Sequence, residues 1–325
     1  MKHLTTKISQ SFLFILLTFF ALLLAFGGSG FSAVTEGVNL WAVCVLPALF
    51  PYLFITAILT KLSFPRKLGV FLSPVTKKVF NVNGLVGYAF FMSIISGYPI
   101  GASITAELTK NRLLSNAEAV RCSVLCSTSS PMFLIGSVGT IMFGNRTFGI
   151  LLFICHLISA IINGIIFSFY KRGEKPQNHA TFLPPAKTDN LLYESVYSSV
   201  VSILVVGGII TIFYLITHLL LTYHILDPAI FIMKKITGNQ TLAKGVALGV
   251  FECTTGLKNI ATCGISFWTL PIVSAVCGFG GISVMMQSLA YLKGAKIKTA
   301  PFVLSKLTSA VINFSIALIF SVCLF

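Results

Sequence analysis

Apolar runs long enough to cross a bilayer recur from end to end of this 325-residue chain. A helix needs about 20 predominantly apolar residues to span the hydrocarbon core. Runs of that kind lie at 8–26, 38–60, 124–143, 148–169, 196–221, 267–292 and 302–325. In lipid the backbone must satisfy its own polar groups, which leaves helices or a closed barrel, and runs this continuous predict helices. Charged residues make up 10% of the chain, where a soluble domain carries roughly 25%, so lipid is the solvent for most of the surface. The fold class expected is an all-α polytopic membrane protein. The run at 8–26 has two readings, a secretory signal or an uncleaved first helix. Gly27-Gly28-Ser29-Gly30 offers no good small-x-small cleavage site, which favours the uncleaved helix.

The net charge is +15, but the basic residues are not arranged for nucleic acid. They fall between apolar runs as Lys61/Arg66/Lys67/Lys77/Lys78, Lys171/Arg172/Lys175 and Lys293/Lys296/Lys298, with no basic stripe interleaved with aromatics. This is the layout of cytoplasmic loops under the positive-inside rule. With the N-terminus inside, the loop 27–37 lies outside and carries no Lys or Arg, Arg146 lies outside, and all three basic clusters lie inside. Lys234 and Lys235 are the misfits. The eight cysteines show no CxxC pair and no metal-ligand spacing. They read as small membrane-core hydrophobes, and no metal or cofactor is expected.

Two apolar stretches are interrupted by polar, glycine-containing sequence: 85–105 by Ser96-Gly97-Tyr98-Pro99-Ile100-Gly101, and 246–257 by Glu252-Cys253-Thr254-Thr255-Gly256. Both read as tips of re-entrant hairpins, tolerated at depth only where protein or water covers them. The segment Leu157 to Asn163 matches Leu307 to Asn313, with Ser159/Ser309, Ala160/Ala310, Ile162/Ile312 and Asn163/Asn313 identical. The order of parts repeats as well: membrane helix, basic or amphipathic stretch, polar-tipped hairpin, interrupted helix, final helix. Each half has three full crossings, and an odd number turns the second half upside down relative to the first. Inverted repeats with paired broken segments belong to secondary transporters. The expected organisation is a first helix and outer loop at 1–37, one repeat at 38–170, a cytoplasmic linker at 171–195 and an inverted repeat at 196–325.

Candidate site residues gather at the interruptions. At Ser96, Gly97, Tyr98, Pro99 and Gly101 the freed backbone groups can meet a solute, and helix N-termini there favour anions. A simple kink is the alternative. Gly101 has no side chain to block approach, so a bulky replacement is expected to hurt transport more than insertion. Glu252 is the one carboxylate well inside an apolar stretch, where a charge costs roughly 2.5 kcal/mol or more. It reads as an ion- or proton-coupling group, as a partner of Lys258 or Lys306, or as an interfacial loop residue. Thr254, Thr255 and Gly256 share its tip. Ser127, Thr128, Ser129 and Ser130 precede Pro131, which removes a helix hydrogen bond; opposite them in the repeat stand Gly278, Gly280 and Gly281, and small-residue packing explains both stretches equally well. Asn163 and Asn313 read as interhelical hydrogen-bonding residues. His156 and Lys306 occupy equivalent repeat positions, where a pore charge, snorkelling and pairing are all open. No Walker, HExxH or GxSxG motif and no paired carboxylates occur, so neither an enzyme nor an ATP-driven pump is expected.

Leu46-Pro47-Ala48-Leu49-Phe50-Pro51-Tyr52, Ser96-Gly97-Tyr98-Pro99-Ile100-Gly101-Ala102, Glu118-Ala119-x-Arg121, Ser129-Ser130-Pro131 and Glu252-x-Thr254-x-Gly256 together resemble the YlbJ-type sporulation integral membrane proteins, which carry two nucleoside-recognition (Gate) regions. The resemblance covers roughly 38–320, and SGYPxGA is its most specific block. It implies a spore-forming bacterium and a place in the mother-cell-derived outer forespore membrane. The implied activity is export of dipicolinic acid from the mother cell toward the forespore. Homo-oligomers and other sporulation membrane proteins are the implied partners. A Gate fold also occurs in concentrative nucleoside transporters, which makes a nucleoside-type carrier one alternative; a non-transporting scaffold of spore-envelope assembly is the other.

The topology is directly testable. A cysteine introduced at position 175 is expected to resist a membrane-impermeant thiol reagent added from outside, because Lys and Arg clusters resist translocation. Strong labelling there would overturn the inverted arrangement.

Overall fold

A computed structural model of the chain describes residues 30–62, 64–174 and 190–324. The run expected at 8–26 and most of the linker expected at 171–195 lie outside the described residues. The described residues are helical, with no strand among them. In chain order the helices are α1 (Gly30–Lys61), α2 (Phe64–Val75), α3 (Leu85–Ser96), α4 (Ile100–Lys110), α5 (Asn116–Leu125), α6 (Met132–Met142), α7 (Arg146–Ser168), α8 (Leu191–Thr222), α9 (Asp227–Thr237), α10 (Gln240–Phe251), α11 (Cys253–Ala261), α12 (Thr269–Phe279), α13 (Gly281–Gly294) and α14 (Ala300–Leu324). Among the described residues five spans are long and apolar enough to cross a membrane: α1, α7, α8, α12 with α13, and α14. The protein is therefore a multi-pass α-helical membrane protein.

Two expected spans are built differently. The run at 124–143 is not one helix: α5 ends at Leu125, residues 127–130 are non-helical, and α6 restarts as a π-helix. Pro131 cannot donate to the preceding turn and opens the new segment instead. The run at 267–292 is likewise broken at Gly280, where φ is +79°, and Gly281, where φ is +81°. The outer loop expected at 27–37 is helical from Gly30 onward. Its residues extend α1 because they pack on α8, with Gly37 tight against Thr211 and Tyr214 and Glu36 accepting from the Tyr214 hydroxyl. At the other end of α1, Lys61 pairs with Glu194 of α8 at 2.6 Å.

Both stretches expected as hairpins are interrupted. Between α3 and α4 the chain turns through Gly97 (φ +75°); between α10 and α11 Glu252 is extended, with φ −140° and ψ +114°. α10 and α11 then fold back on each other backbone to backbone. A β-carbon at Gly256 would lie 2.4 Å from the Gly249 Cα, and one at Gly245 would lie 3.1 Å from the Gly256 carbonyl oxygen. α4 pairs in the same way with α5, and a β-carbon at Gly101 would fall 1.9 Å from the Cys126 carbonyl oxygen.

The two final helices form the central seam. Asn163 of α7 donates to the Ser305 carbonyl at 3.0 Å and accepts from Thr308 Oγ1 at 2.7 Å. Asn313 of α14 donates to Ser159 Oγ at 2.8 Å. Polar pairs of this kind join membrane helices at about 1 kcal/mol each. Apolar clusters flank the seam, one around α3, α4 and α5 and one around α6, α7 and α10 to α12.

The close backbone contact at Gly101 yields a sharp expectation. Gly101→Ala forces a methyl into the Cys126 carbonyl and should cost about 1–3 kcal/mol or more, as overpacking does. Gly208→Ala on α8, where an added β-carbon meets nothing within 4 Å, should be neutral. Thermal unfolding of the detergent-solubilised variants would show the difference, and equal melting points would refute the packing assignment.

Candidate solute site

Four interrupted segments meet around one cavity. Tyr98 comes from the first tip, Ser129 and Ser130 from the α5–α6 break, Glu252 and Thr254 from the second tip, and Gly280 from the α12–α13 break. Gln287 adds an amide, and Val45, Leu49, Phe133, Val206, Ile210 and Val284 supply apolar wall. The cavity measures about 50 Å³, space for one or two water molecules. A wider cleft of about 410 Å³ adjoins it and shares Val206 and Gln287. On another side Thr255, which donates to Glu252, also lines a cleft of about 300 Å³ that carries Lys244 and Lys258.

Three of the breaks show where freed groups find partners. The Ser129 backbone N–H donates to His156 Nε2 at 2.9 Å. The Phe133 N–H donates to Ser130 Oγ at 3.2 Å. The Tyr98 hydroxyl donates to the Ser127 carbonyl at 2.9 Å. At the second tip Glu252 caps α11: Oε2 accepts from the Thr255 N–H at 2.6 Å and from Thr255 Oγ1 at 2.8 Å. An N-terminal helix position favours negative charge, so Glu252 sits where the backbone holds a carboxylate best.

Two charges border the cavity region, Glu252 and Lys306, each 1% exposed. Glu252 is thus buried between α10 and α11. Among the described residues it forms no ion pair, so neither Lys258 nor Lys306 is its partner. Lys306 instead donates from Nζ to the Tyr98 hydroxyl at 2.7 Å and to Ser127 Oγ at 2.9 Å. Its ammonium stands 4.2 Å from the Tyr98 ring centre, within cation–π range.

Of the residues expected from sequence, Tyr98, Ser129, Ser130, Glu252 and Thr254 line this cavity. Others are placed elsewhere, each for a packing reason. Ser96 donates to the Tyr52 carbonyl at 3.1 Å and bonds Thr56, tying the first tip to α1. Thr128 bonds Ser93 at 3.1 Å. Pro99 faces the wider cleft, and Thr255 faces the lysine-bearing one. Gly97 presses on Ser130, and Gly101, Gly256 and Gly278 press on Cys126, Gly249 and Asn313. Gly101 is therefore a contact between helices. Ser127 reaches the site through Lys306. Leu49 lies in the Leu46–Tyr52 motif, while Gln287, Val45 and the apolar wall from α8 carry no polar interruption or motif that would have marked them.

A bundle of membrane helices whose polar breaks converge on a cavity defines the class: a multi-pass integral membrane protein with a built internal site. Over 331 aligned residues, covering 94% of the chain and 80% of the relative, it is 29% identical to the sporulation integral membrane protein YlbJ of Bacillus subtilis. That likeness spans nearly the whole chain and supports its place among the YlbJ-type sporulation proteins that its motifs resemble. No family model and no solved structure matches the chain.

Glu252 can be dissected by substitution. Glu252→Gln keeps a cap acceptor and should hold the melting temperature near that of the parent protein. Glu252→Ala should lose about 0.5–2 kcal/mol, the usual value of an N-cap. If glutamine proves as damaging as alanine in thermal unfolding, the charge and not the cap holds this tip.

Proposed function

We propose that the chain is a secondary transporter of a small polar anion, with dipicolinate moved from the mother cell toward the forespore as its physiological cargo, in the outer forespore membrane. The observation that carries this reading is the convergence of four interrupted segments on one cavity. Unpaired backbone in lipid costs several kcal/mol per group, so a fold that only anchors or scaffolds gains nothing by breaking its helices there. Secondary transporters break helices at the solute site. The order of parts adds support: amphipathic α2 and α9, interrupted α3–α4 and α10–α11, interrupted α5–α6 and α12–α13, and final helices α7 and α14. In this reading residues 38–170 and 196–325 are inverted repeats that rock about the seam, with no catalysis and no cofactor. The sporulation context comes from the YlbJ likeness, and dipicolinate comes from the family resemblance of the motifs.

Purified protein in liposomes tests the reading. Labelled dipicolinate is expected to enter protein-bearing vesicles faster than empty ones, with labelled uridine left outside. Uptake of uridine alone would make the chain a nucleoside-type carrier. Uptake of neither, at defined pH and sodium gradients of both directions, would favour a scaffold.

A further inference from the structure

We propose that Lys306 is the charge that a carboxylate of the transported solute engages, and that Tyr98 holds this charge while the site is closed. The inference deepens the transporter reading and rests on it. Four charged side chains are buried among the described residues: Glu118, Arg121, Glu252 and Lys306. Arg121 is saturated by the carbonyl oxygens of Asn81, Tyr170 and Lys171 at 2.6–2.9 Å. Glu118 accepts from the backbone N–H groups of Asn83 and Ser115. Both close off loops and stand away from the cavity. Glu252 is held by the start of α11. Lys306 is different: its partners are two neutral hydroxyl oxygens and an aromatic face, and no carboxylate pairs with it.

Those partners lead into the cavity. Tyr98 lines it, and so does Gly280, where a β-carbon would lie 3.6 Å from Lys306 Nζ. Gly280 has none, which leaves that position beside the ammonium free of a side chain. A carboxylate that replaces the Tyr98 hydroxyl sets an opposite charge against the ammonium in place of a neutral oxygen, and the added Coulombic attraction is largest away from water. That difference is what a ligand needs to shift a conformational equilibrium. The Tyr98–Lys306 contact joins the first tip to α14 across 208 residues of sequence. Anion binding and release of that contact are then one event. Glu252 lines the same cavity, so a carboxylate is expected at the Lys306 end, away from it.

The test is uptake into liposomes of pyridine-2,6-dicarboxylate and of its neutral diamide by the parent protein, Lys306→Gln, Lys306→Arg and Tyr98→Phe. Lys306→Gln should raise the KM for the dicarboxylate roughly ten- to hundredfold, the weight of a hydrogen bond to a charged group, and leave diamide handling unchanged. Lys306→Arg should keep most of the preference for the anion. Tyr98→Phe, which removes the competing hydroxyl, should lower the KM. An unchanged dicarboxylate KM in Lys306→Gln overturns the inference while transport stands. If Lys306→Gln does not fold, an unchanged or raised KM in Tyr98→Phe overturns it instead. If the parent protein moves neither compound, the transporter reading fails. Binding then decides the inference: dicarboxylate must raise the melting point of the detergent-solubilised parent protein and not that of Lys306→Gln, and equal shifts or none overturn it.

Discussion

Lipid offers a broken helix no hydrogen bonds, and this constraint organises the molecule. Every interruption has to find its partners inside the protein. The breaks here do so by meeting one another: Tyr98 of the first tip donates to the carbonyl of Ser127 in the neighbouring break, and His156 of the seam accepts from Ser129. The second tip satisfies itself through Glu252 and Thr255, and its Cys253 backbone abuts Gly281 of the neighbouring break. Four separate interruptions would be four separate penalties. Brought together they cover one another, and the place where they meet carries Tyr98, Ser129, Ser130, Glu252 and Thr254 against an apolar wall. The cavity is thus the consequence of how the breaks are made tolerable, before any solute is considered.

Charge follows a similar division. At the end of the bundle, Arg121 and Glu118 are anchored to backbone groups of loops, which fixes where those loops run. At the centre, Glu252 is held by the backbone N–H and hydroxyl of Thr255, and Lys306 by two neutral hydroxyl oxygens. An ion saturated by carbonyl oxygens has little to gain from a ligand. An ion held by hydroxyls has much to gain from an opposite charge, because its desolvation is only partly compensated. Position alone therefore separates the buried charges that build the fold from those able to respond to a solute.

The spans were legible in the sequence because length and hydropathy suffice for them: α7, α8 and α14 lie close to where the apolar runs predict. The breaks were marked too, by Gly97, Pro99, Pro131 and the glycines 278, 280 and 281, although kinks and small-residue packing use the same residues. What these residues do within the breaks was not. Gly101 and Gly256 read equally as openings for a solute or as surfaces for another helix, and only the backbone of Cys126 and of Gly249, standing where a β-carbon would fall, decides for packing. Lys306 sits in an apolar helix with nothing nearby in sequence to name its partner; that partner is Tyr98, in the other half of the chain. The extension of α1 through residues 30–37 was hidden because glycines before it resemble a loop, whereas Gly37 is there to let Tyr214 approach.

A cavity with space for one or two waters cannot hold an aromatic dicarboxylate, so a carrier built on this site must open, and the contacts say where it can. The α10–α11 hairpin is joined backbone to backbone through Gly245, Gly249 and Gly256, and sliding within it would drive main-chain atoms into one another. It moves as one piece or not at all. The same holds for α4 on α5 at Gly101. Between these rigid pairs the links are of another kind. They are side-chain hydrogen bonds such as Lys306 to Tyr98 and Ser127, and glycines at positive φ such as Gly97, Gly280 and Gly281, which tolerate backbone rotation that other residues resist. Packed interfaces switch between discrete arrangements more readily than they deform. Opening should therefore separate the first tip from α14 and leave both hairpin pairs intact, which makes the Lys306 contact the natural place for a solute to act.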